Sequence, residues 1–179
     1  MTTTQRSAEQ VLAEARKLIG RETKPVRARY PVELDPIRRF CHMSGDNNPL
    51  FLDPEHARKS RFGAVIAPMT AVALFGGGGV WPPPSEAEEQ LPPVPTLGDR
   101  AINLGTEWEF LKPVRVGDHL SVSRRIADVF IKPIRLDAKA FWTVTETIYR
   151  NQHGEVVTIM RNTGLRHRTP EEVRTAGDA

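Results

Sequence analysis

Apolar positions 11, 12, 15, 18 and 19 recur at helical spacing behind Ser7-Ala8-Glu9-Gln10, a capping-box pattern, and Gly20 follows as a stop. The first element predicted is therefore an amino-terminal helix. From Val26 the period changes. Val26, Ala28, Tyr30, Val32 and Leu34 alternate with polar or charged neighbours, which predicts a half-buried strand, and Pro31 puts it at an edge or a bend. Asp35-Pro36 supplies an N-cap and a first-turn proline for a short helix to about Met43. Residues 44–49 are turn chemistry, and Asp53-Pro54 repeats the helix-start signal ahead of residues 55–59. The run 66–75 carries no charge, which predicts a buried helix of about ten residues ending at Gly76.

Residues 76–99 are rich in glycine and proline, with four glycines in a row, Trp81 and prolines at 82–84. A loop of that length has two readings, an element that covers or gates a substrate site and a disordered insertion. Its glycines follow a helix rather than precede one, and no Gly-Lys-Ser/Thr comes after them. They read as a helix stop and hinge, not a phosphate loop. Beyond the loop the period is two. Ile102, Leu104, Thr106, Trp108 and Phe110 alternate; Leu120, Val122 and Val129 follow the Gly117-Asp118 turn; Ala140, Trp142, Val144 and Ile148 share one face; residues 156–165 form a last strand after Gln152-His153-Gly154. One buried helix followed by four strands predicts an α+β fold with an antiparallel sheet wrapped around a helix.

Composition narrows the classes. At 179 residues the chain suits one domain. A net charge of +3 with both signs interspersed is consistent with anionic ligands but holds no basic run that would argue nucleic acid. The single cysteine, Cys41, rules out an intrachain disulfide and reads as a small buried hydrophobe. No apolar stretch reaches the roughly 20 residues that span a bilayer, and the amino terminus lacks a signal pattern. The expected location is a reducing cytoplasm. No His, Asp or Glu pair has metal-ligand spacing, so neither metal nor cofactor is expected.

The segment 44–54, Ser-Gly-Asp-Asn-Asn-Pro-Leu-Phe-Leu-Asp-Pro, with Ala57, Arg61-Phe62-Gly63 and Ile66-Ala67-Pro68, resembles the signature of MaoC-like hydratases and dehydratases. It is most similar to the branch with a fatty-acid-synthase-like (FAS1-like) dehydratase fold. Residues 108–118 and 149–157 resemble later stretches of the same family, and the likeness spans roughly residues 20–168. It implies a single hotdog fold, a long central helix at residues 66–75 wrapped by a curved antiparallel sheet, and pairing of two hotdogs. The divisions expected are a helical extension over 1–19, the hotdog over 20–168 and a polar tail over 169–179.

The resemblance also implies a chemistry. Family members that hydrate 2-enoyl thioesters use an aspartate, an asparagine two residues on and a histidine five residues on. Water loses a proton as it attacks carbon 3 while carbon 2 gains one, so positioned acid-base groups are needed. A fixed amide donor serves the enolate-like thioester oxygen. Asp46 and Asn48 match the first two as catalytic candidates, but Phe51 stands at the histidine's place, and phenylalanine exchanges no proton. The family's Ala-His-Gly reads Ala67-Pro68-Met69, in which Met69 keeps a backbone donor and proline has none. Phe51, Pro68, Met69 and Arg115 are the substrate-binding candidates. Lys112, Arg124 and Arg125 are further candidates for coenzyme A phosphates, or else solvated strand ends. Read as residues alone, Asp46 is a turn residue bonding its own backbone, and His42 and His56, the substitute bases, are surface or packed imidazoles.

Four readings follow. The first is a subunit of an (R)-specific enoyl-thioester hydratase or 3-hydroxyacyl-thioester dehydratase, acting on an acyl-CoA or acyl-ACP, whose partner hotdog carries the intact Asp/His pair. The others are a self-sufficient homodimer using Asp46, a non-catalytic acyl-CoA-binding hotdog, and a thioesterase, which the same fold permits.

Overall fold

The computed structural model describes residues 6–77 and 89–177. Trp81 and the prolines at 82–84 lie outside them. Helix α1 (Ala8–Arg16) opens on the capping box predicted for it: the Ser7 hydroxyl accepts from the Gln10 amide and the Gln10 side chain accepts from the Ser7 amide. Ser7→Ala is expected to lower stability by about 1 kcal/mol, read from denaturant midpoints, because it strips one of two reciprocal caps. Strand β1 (Val26–Arg27) is followed by α2 (Leu34–Ser44), α3 (Pro49–Leu52) and α4 (Pro54–Lys59). The sequence predicted a strand over residues 26–34, but only Val26 and Arg27 pair regularly, with Val122 and Ser121. Pro31 breaks the ladder, and Leu34 is already the first residue of α2. Inside the segment expected as a polar tail, α5 (Pro170–Thr175) forms behind a second capping box, Thr169 with Glu172.

Four long strands make the sheet: β2 (Arg100–Phe110), β3 (Ser121–Ile131), β4 (Phe141–Arg150) and β5 (Val156–His167). All pairings are antiparallel, in the order β1-β3-β4-β5-β2. The turns between strands use the residues that suit them: Gly117 and Gly154 sit at φ 95° and 78°, where a Cβ would be strained. One edge is β2, eleven residues long and exposed along most of its length, with Ile102 and Leu104 open to solvent.

Parity assigns the two faces. Tyr149 packs with Val72 and Phe75, and Phe141 packs with Val11 and Ala15 of α1. Both are odd-numbered residues of β4, so the odd side of that strand is the inner, helix-covered face. Each fully buried Val, Ile or Phe in these clusters contributes about 1.5–3 kcal/mol of apolar burial. The opposite face carries a charged row across four strands. Glu146, buried, bonds Arg125 and Arg161, and Arg161 reaches Glu109 at 2.8 Å. The arrangement is the α+β hotdog that the sequence led one to expect.

The central helix departs from expectation. It is a 3₁₀ helix over Met69–Phe75, seven residues long, not an α-helix from Ile66. Ile66 bridges Arg115 instead, and the Ala67 amide bonds the Val114 carbonyl at 2.8 Å. Pro68 then occupies the cap with no amide to donate. Nor is the helix buried all round: Ala71, Val72 and Phe75 are buried, while Met69, Thr70, Ala73 and Leu74 are exposed. Its apolar character therefore reflects one packed side and one uncovered side. Among the described residues, no helix is long and apolar enough to cross a membrane.

Candidate active site

Residues 44–53 form two short helices in succession, and their polar side chains serve as caps. The Asp46 carboxylate accepts from the Asn48 amide at 3.0 Å. The Asn48 side-chain oxygen Oδ1 accepts from the Leu50 amide at 3.0 Å and caps α3. Asp53 caps α4 through the Glu55 and His56 amides. Both motif residues are thus engaged in turn geometry, which agrees with their reading as residues alone.

Phe51 does not point to open solvent. It is half-buried and packs against the cluster that holds Val65, Ala67 and Val72. The same cluster buries Cys41, whose thiol is pushed up by burial and by the Asp46 charge. His42 and His56 are exposed, on α2 and α4.

A cavity of about 230 Å³ opens at the other end of this segment. Met69, Ile66, Ala67 and Val72 line it from the helix side, and Phe110, Lys112 and Thr158 from the sheet side. The Thr158 hydroxyl is enclosed there without a hydrogen-bond partner among the described residues. Met69 opens the helix, so its amide belongs to the first turn, where donors have no intrahelical acceptor. Of the residues nominated from sequence, Met69 and Lys112 line this cavity. Asp46, Asn48, Phe51, Pro68 and Arg115 are not among the residues on its wall.

Arg115 is engaged locally. Its Nε donates to the Phe62 carbonyl at 3.0 Å, and its amide donates to Asp118. Lys112 pairs with Glu155, and Arg125 pairs with Glu146. Arg124 faces a small cavity with Thr23, Gly76 and Gly77. Among the described residues, no three His, Cys, Asp or Glu side chains gather where a metal could be held.

A larger open depression, about 970 Å³, lies beside the start of β2. Its floor includes Asn103, Thr143, Asn162 and Gly164, and Val94 and Leu97 form a wall. Sequence reasoning missed it. The available signal was threonine at 143, 145 and 147, a period-two polar row in a strand whose even positions are mostly apolar.

Comparison with known proteins gives the family and the fold. Residues 17–160 match the family model described as the FAS1-like dehydratase domain region, the branch that the motif at residues 44–54 resembles. The chain is similar to a probable enoyl-CoA hydratase alpha subunit of Thermomonospora curvata, 33% identical over 160 residues, covering 85% of this chain and 50% of that protein. It is also similar to the 3-oxo-4,17-pregnadiene-20-carboxyl-CoA hydratase alpha subunit of Mycobacterium tuberculosis, 29% identical over 115 residues, covering 60% and 36%. The chain thus spans half or less of the length of these two relatives. Among solved structures, the ChsH1-ChsH2 complex of Mycobacterium tuberculosis superposes with a TM-score of 0.68 at 19% identity, over 90% of this chain and 96% of that one, which speaks for the fold. With the family model covering most of its length, the chain belongs to the FAS1-like dehydratase domain family.

Proposed function

We propose that this chain is one hotdog subunit of an enoyl-thioester hydratase, a hydro-lyase that adds or removes water at the 2,3-bond of an acyl-CoA or acyl-ACP, and that a partner hotdog supplies the acid-base pair. The observation that carries the reading is the state of the motif. Asp46 and Asn48 hold a turn, and the position five residues after Asp46 is an apolar ring packed into the core. A water at this site meets no pair able to take one proton and give another.

In this reading each nominated residue has a definite role. Asp46 and Asn48 shape the segment, Phe51 packs into the core, Pro68 sets the helix cap, and Arg115 fixes the turn at Phe62. The Met69 amide is the donor left for a thioester oxygen. The names of the two relatives support a subunit role, since both are hydratase alpha subunits. The exposed β2 edge supports a pairing surface for a second hotdog. The free, buried Cys41 thiol is compatible with a reducing cytoplasm.

The test is to co-purify the full chain with a hotdog protein carrying Asp and, five residues later, His, and to assay hydration of crotonyl-CoA. The complex is expected to turn over at least about a hundred-fold faster than this chain alone, the span that acid-base groups supply. Asp46→Asn in this chain keeps an oxygen for the Asn48 amide and is expected to leave the complex within about two-fold of its rate, against a general-acid effect of about 10²-fold or more. A chain that matches the complex by itself would sink the partner reading. Loss of its rate on Asp46→Asn would then establish the self-sufficient one.

A further inference from the structure

We infer that Thr158 is a substrate-binding residue, its hydroxyl donating to the thioester oxygen of a ligand seated in the Met69 cavity; this rests on the function proposed above, which makes the ligand a thioester. Thr158 stands on the inner face of β5, in register between Phe110 of β2 and Tyr149 of β4. It is 1% exposed, and its hydroxyl has no partner among the described residues. Such a group is costly to keep. Valine has the same shape, suits a strand as well and brings no polar atom into the core.

The other buried hydroxyls of serine and threonine are occupied. Ser123 Oγ donates to Glu22 and accepts from Arg150 Nη1. Thr23 Oγ1 accepts from the Arg124 amide at 3.0 Å. Thr158 is the exception among the described residues, and no protein neighbour accounts for it.

The cavity does. At about 230 Å³ it has room for about seven waters at about 30 Å³ each. That is below the range of about 300–1,000 Å³ for whole small-molecule sites, so a segment of a ligand fits there, not the whole of an acyl-CoA. Its buried wall includes Ile66, Ala67, Val72 and Val114, and Thr158 is the one polar side chain among the buried members. A water against that wall has Thr158 as its one buried side-chain partner, where an ordered water takes about two to four. A ligand that carries an acceptor oxygen on an apolar chain satisfies the hydroxyl and the wall together.

Charge decides which end of the ligand enters. Arg61 and Lys112 also line the cavity, and both are exposed. Lys112 pairs with Glu155. The Arg61 guanidinium lies 4.8 Å over the Phe62 ring and bonds no described carboxylate. A phosphate-bearing carrier stays at this exposed cation, and the neutral thioester goes inward to the buried hydroxyl. Met69, whose amide is given above to the thioester oxygen, lines the same cavity. Addition of water at carbon 3 shifts an electron pair onto that oxygen until carbon 2 takes its proton. A second donor, held in a wall of low dielectric, therefore acts where negative charge builds.

Calorimetric titration of the full chain with butyryl-CoA and with coenzyme A tests the inference, because the two probes share the carrier and differ in the thioester. Thr158→Val is expected to weaken butyryl-CoA about ten-fold, the worth of one hydrogen bond, and to leave coenzyme A within about two-fold of wild type. The same variant is expected to melt no lower than wild type, since it removes an unpartnered buried hydroxyl at constant shape. Thr158→Ser is expected to do the reverse. It melts lower for want of a buried methyl group, yet keeps butyryl-CoA affinity within about three-fold. A threonine with a structural role alone cannot give that crossing, because binding would then follow stability.

Unchanged butyryl-CoA affinity in Thr158→Val overturns the inference, and so does a wild-type chain that binds no butyryl-CoA. An equal loss of coenzyme A affinity also overturns it, by placing the hydroxyl on another part of the carrier. In each case crotonyl-CoA hydration by the co-purified complex leaves the proposed function standing. A loss confined to the thioester, in a chain whose complex hydrates no crotonyl-CoA, keeps the site and overturns the proposed function.

Discussion

Replacing Asp137 by alanine is expected to lower the unfolding free energy by about 3–5 kcal/mol, the usual cost of leaving one charge of a buried pair alone. Asp137 is fully buried and Arg168 nearly so. The carboxylate accepts from Arg168 Nη2 at 2.7 Å, Arg168 Nε at 3.1 Å, the Arg168 amide at 2.9 Å and the Lys139 amide at 2.8 Å. It ties the β3–β4 connection to the end of β5, so its loss releases two segments far apart in sequence. For a chain of this length the melting temperature should fall by on the order of 10 °C. The pH dependence has a definite sign. Burial pushes the carboxyl up, but the Arg168 and Lys139 bonds outweigh it and hold the group below the usual carboxylate value. A depressed folded-state value stabilises above the unfolded value of about 3.9 and is lost as pH falls through the folded one. The gap between wild type and Asp137→Asn should therefore be full at neutral pH and close in acid below about pH 4. Thermal melts of both proteins from about pH 3 to about pH 7 check it, and a gap that widens in acid would contradict the assignment.

Gly98→Ala should have an effect of the same order. A Cβ at Gly98 would stand 2.1 Å from the His167 carbonyl carbon and oxygen and 2.4 Å from the Arg168 amide nitrogen. Those are backbone atoms at the end of a paired strand and cannot swing aside as a side chain would. The segment around Gly98 must lift off β5, and it carries Leu91, Val94 and Leu97, which pack against the α1 cluster. Overpacking alone costs about 1–3 kcal/mol, and uncovering these residues adds to it. Val94 and Leu97 also wall the depression, so the variant is expected to change its shape as well as the stability of the fold. Protease sensitivity around residues 89–99, followed beside thermal melts, checks that the segment lifts. Unchanged stability with unchanged protease sensitivity would mean that the segment does not seat on β5 as described.

The sequence made the elements legible where local chemistry alone decides them. The Ser7 capping box, the Asp53 cap and the turns at Gly117 and Gly154 depend on close sequence neighbours, and all formed as read. Tertiary context decided the misses. Val32 keeps its burial and its backbone bonds to residues 117 and 118, but Pro31 and the early start of α2 prevent a regular strand. The run 66–75 read as a buried α-helix because apolar content shows what a segment tolerates, not how many of its sides are covered. On β4 Trp142, Val144 and Ile148 share one face as read, and it is the side opposite to Phe141 and Tyr149, which pack into the helix-covered clusters. Phenylalanine at position 51 was legible from the motif itself. The depression, assembled from the 93–99 segment, β2, β4 and β5, exists only in three dimensions.

The open edge at β2 bears on how such a chain has to be made. An exposed strand of eleven residues with unsatisfied amides and carbonyls is a template for any extended segment it meets, including another copy's. A chain synthesised ahead of its cover would spend that interval exposed to off-pathway association. If a second hotdog covers this edge, as proposed above, production of the two chains in step, from adjacent reading frames or at matched rates, would keep the edge occupied from the moment it folds. On this view the ratio of the two chains in the cell is as much a requirement of the fold as any side chain in it.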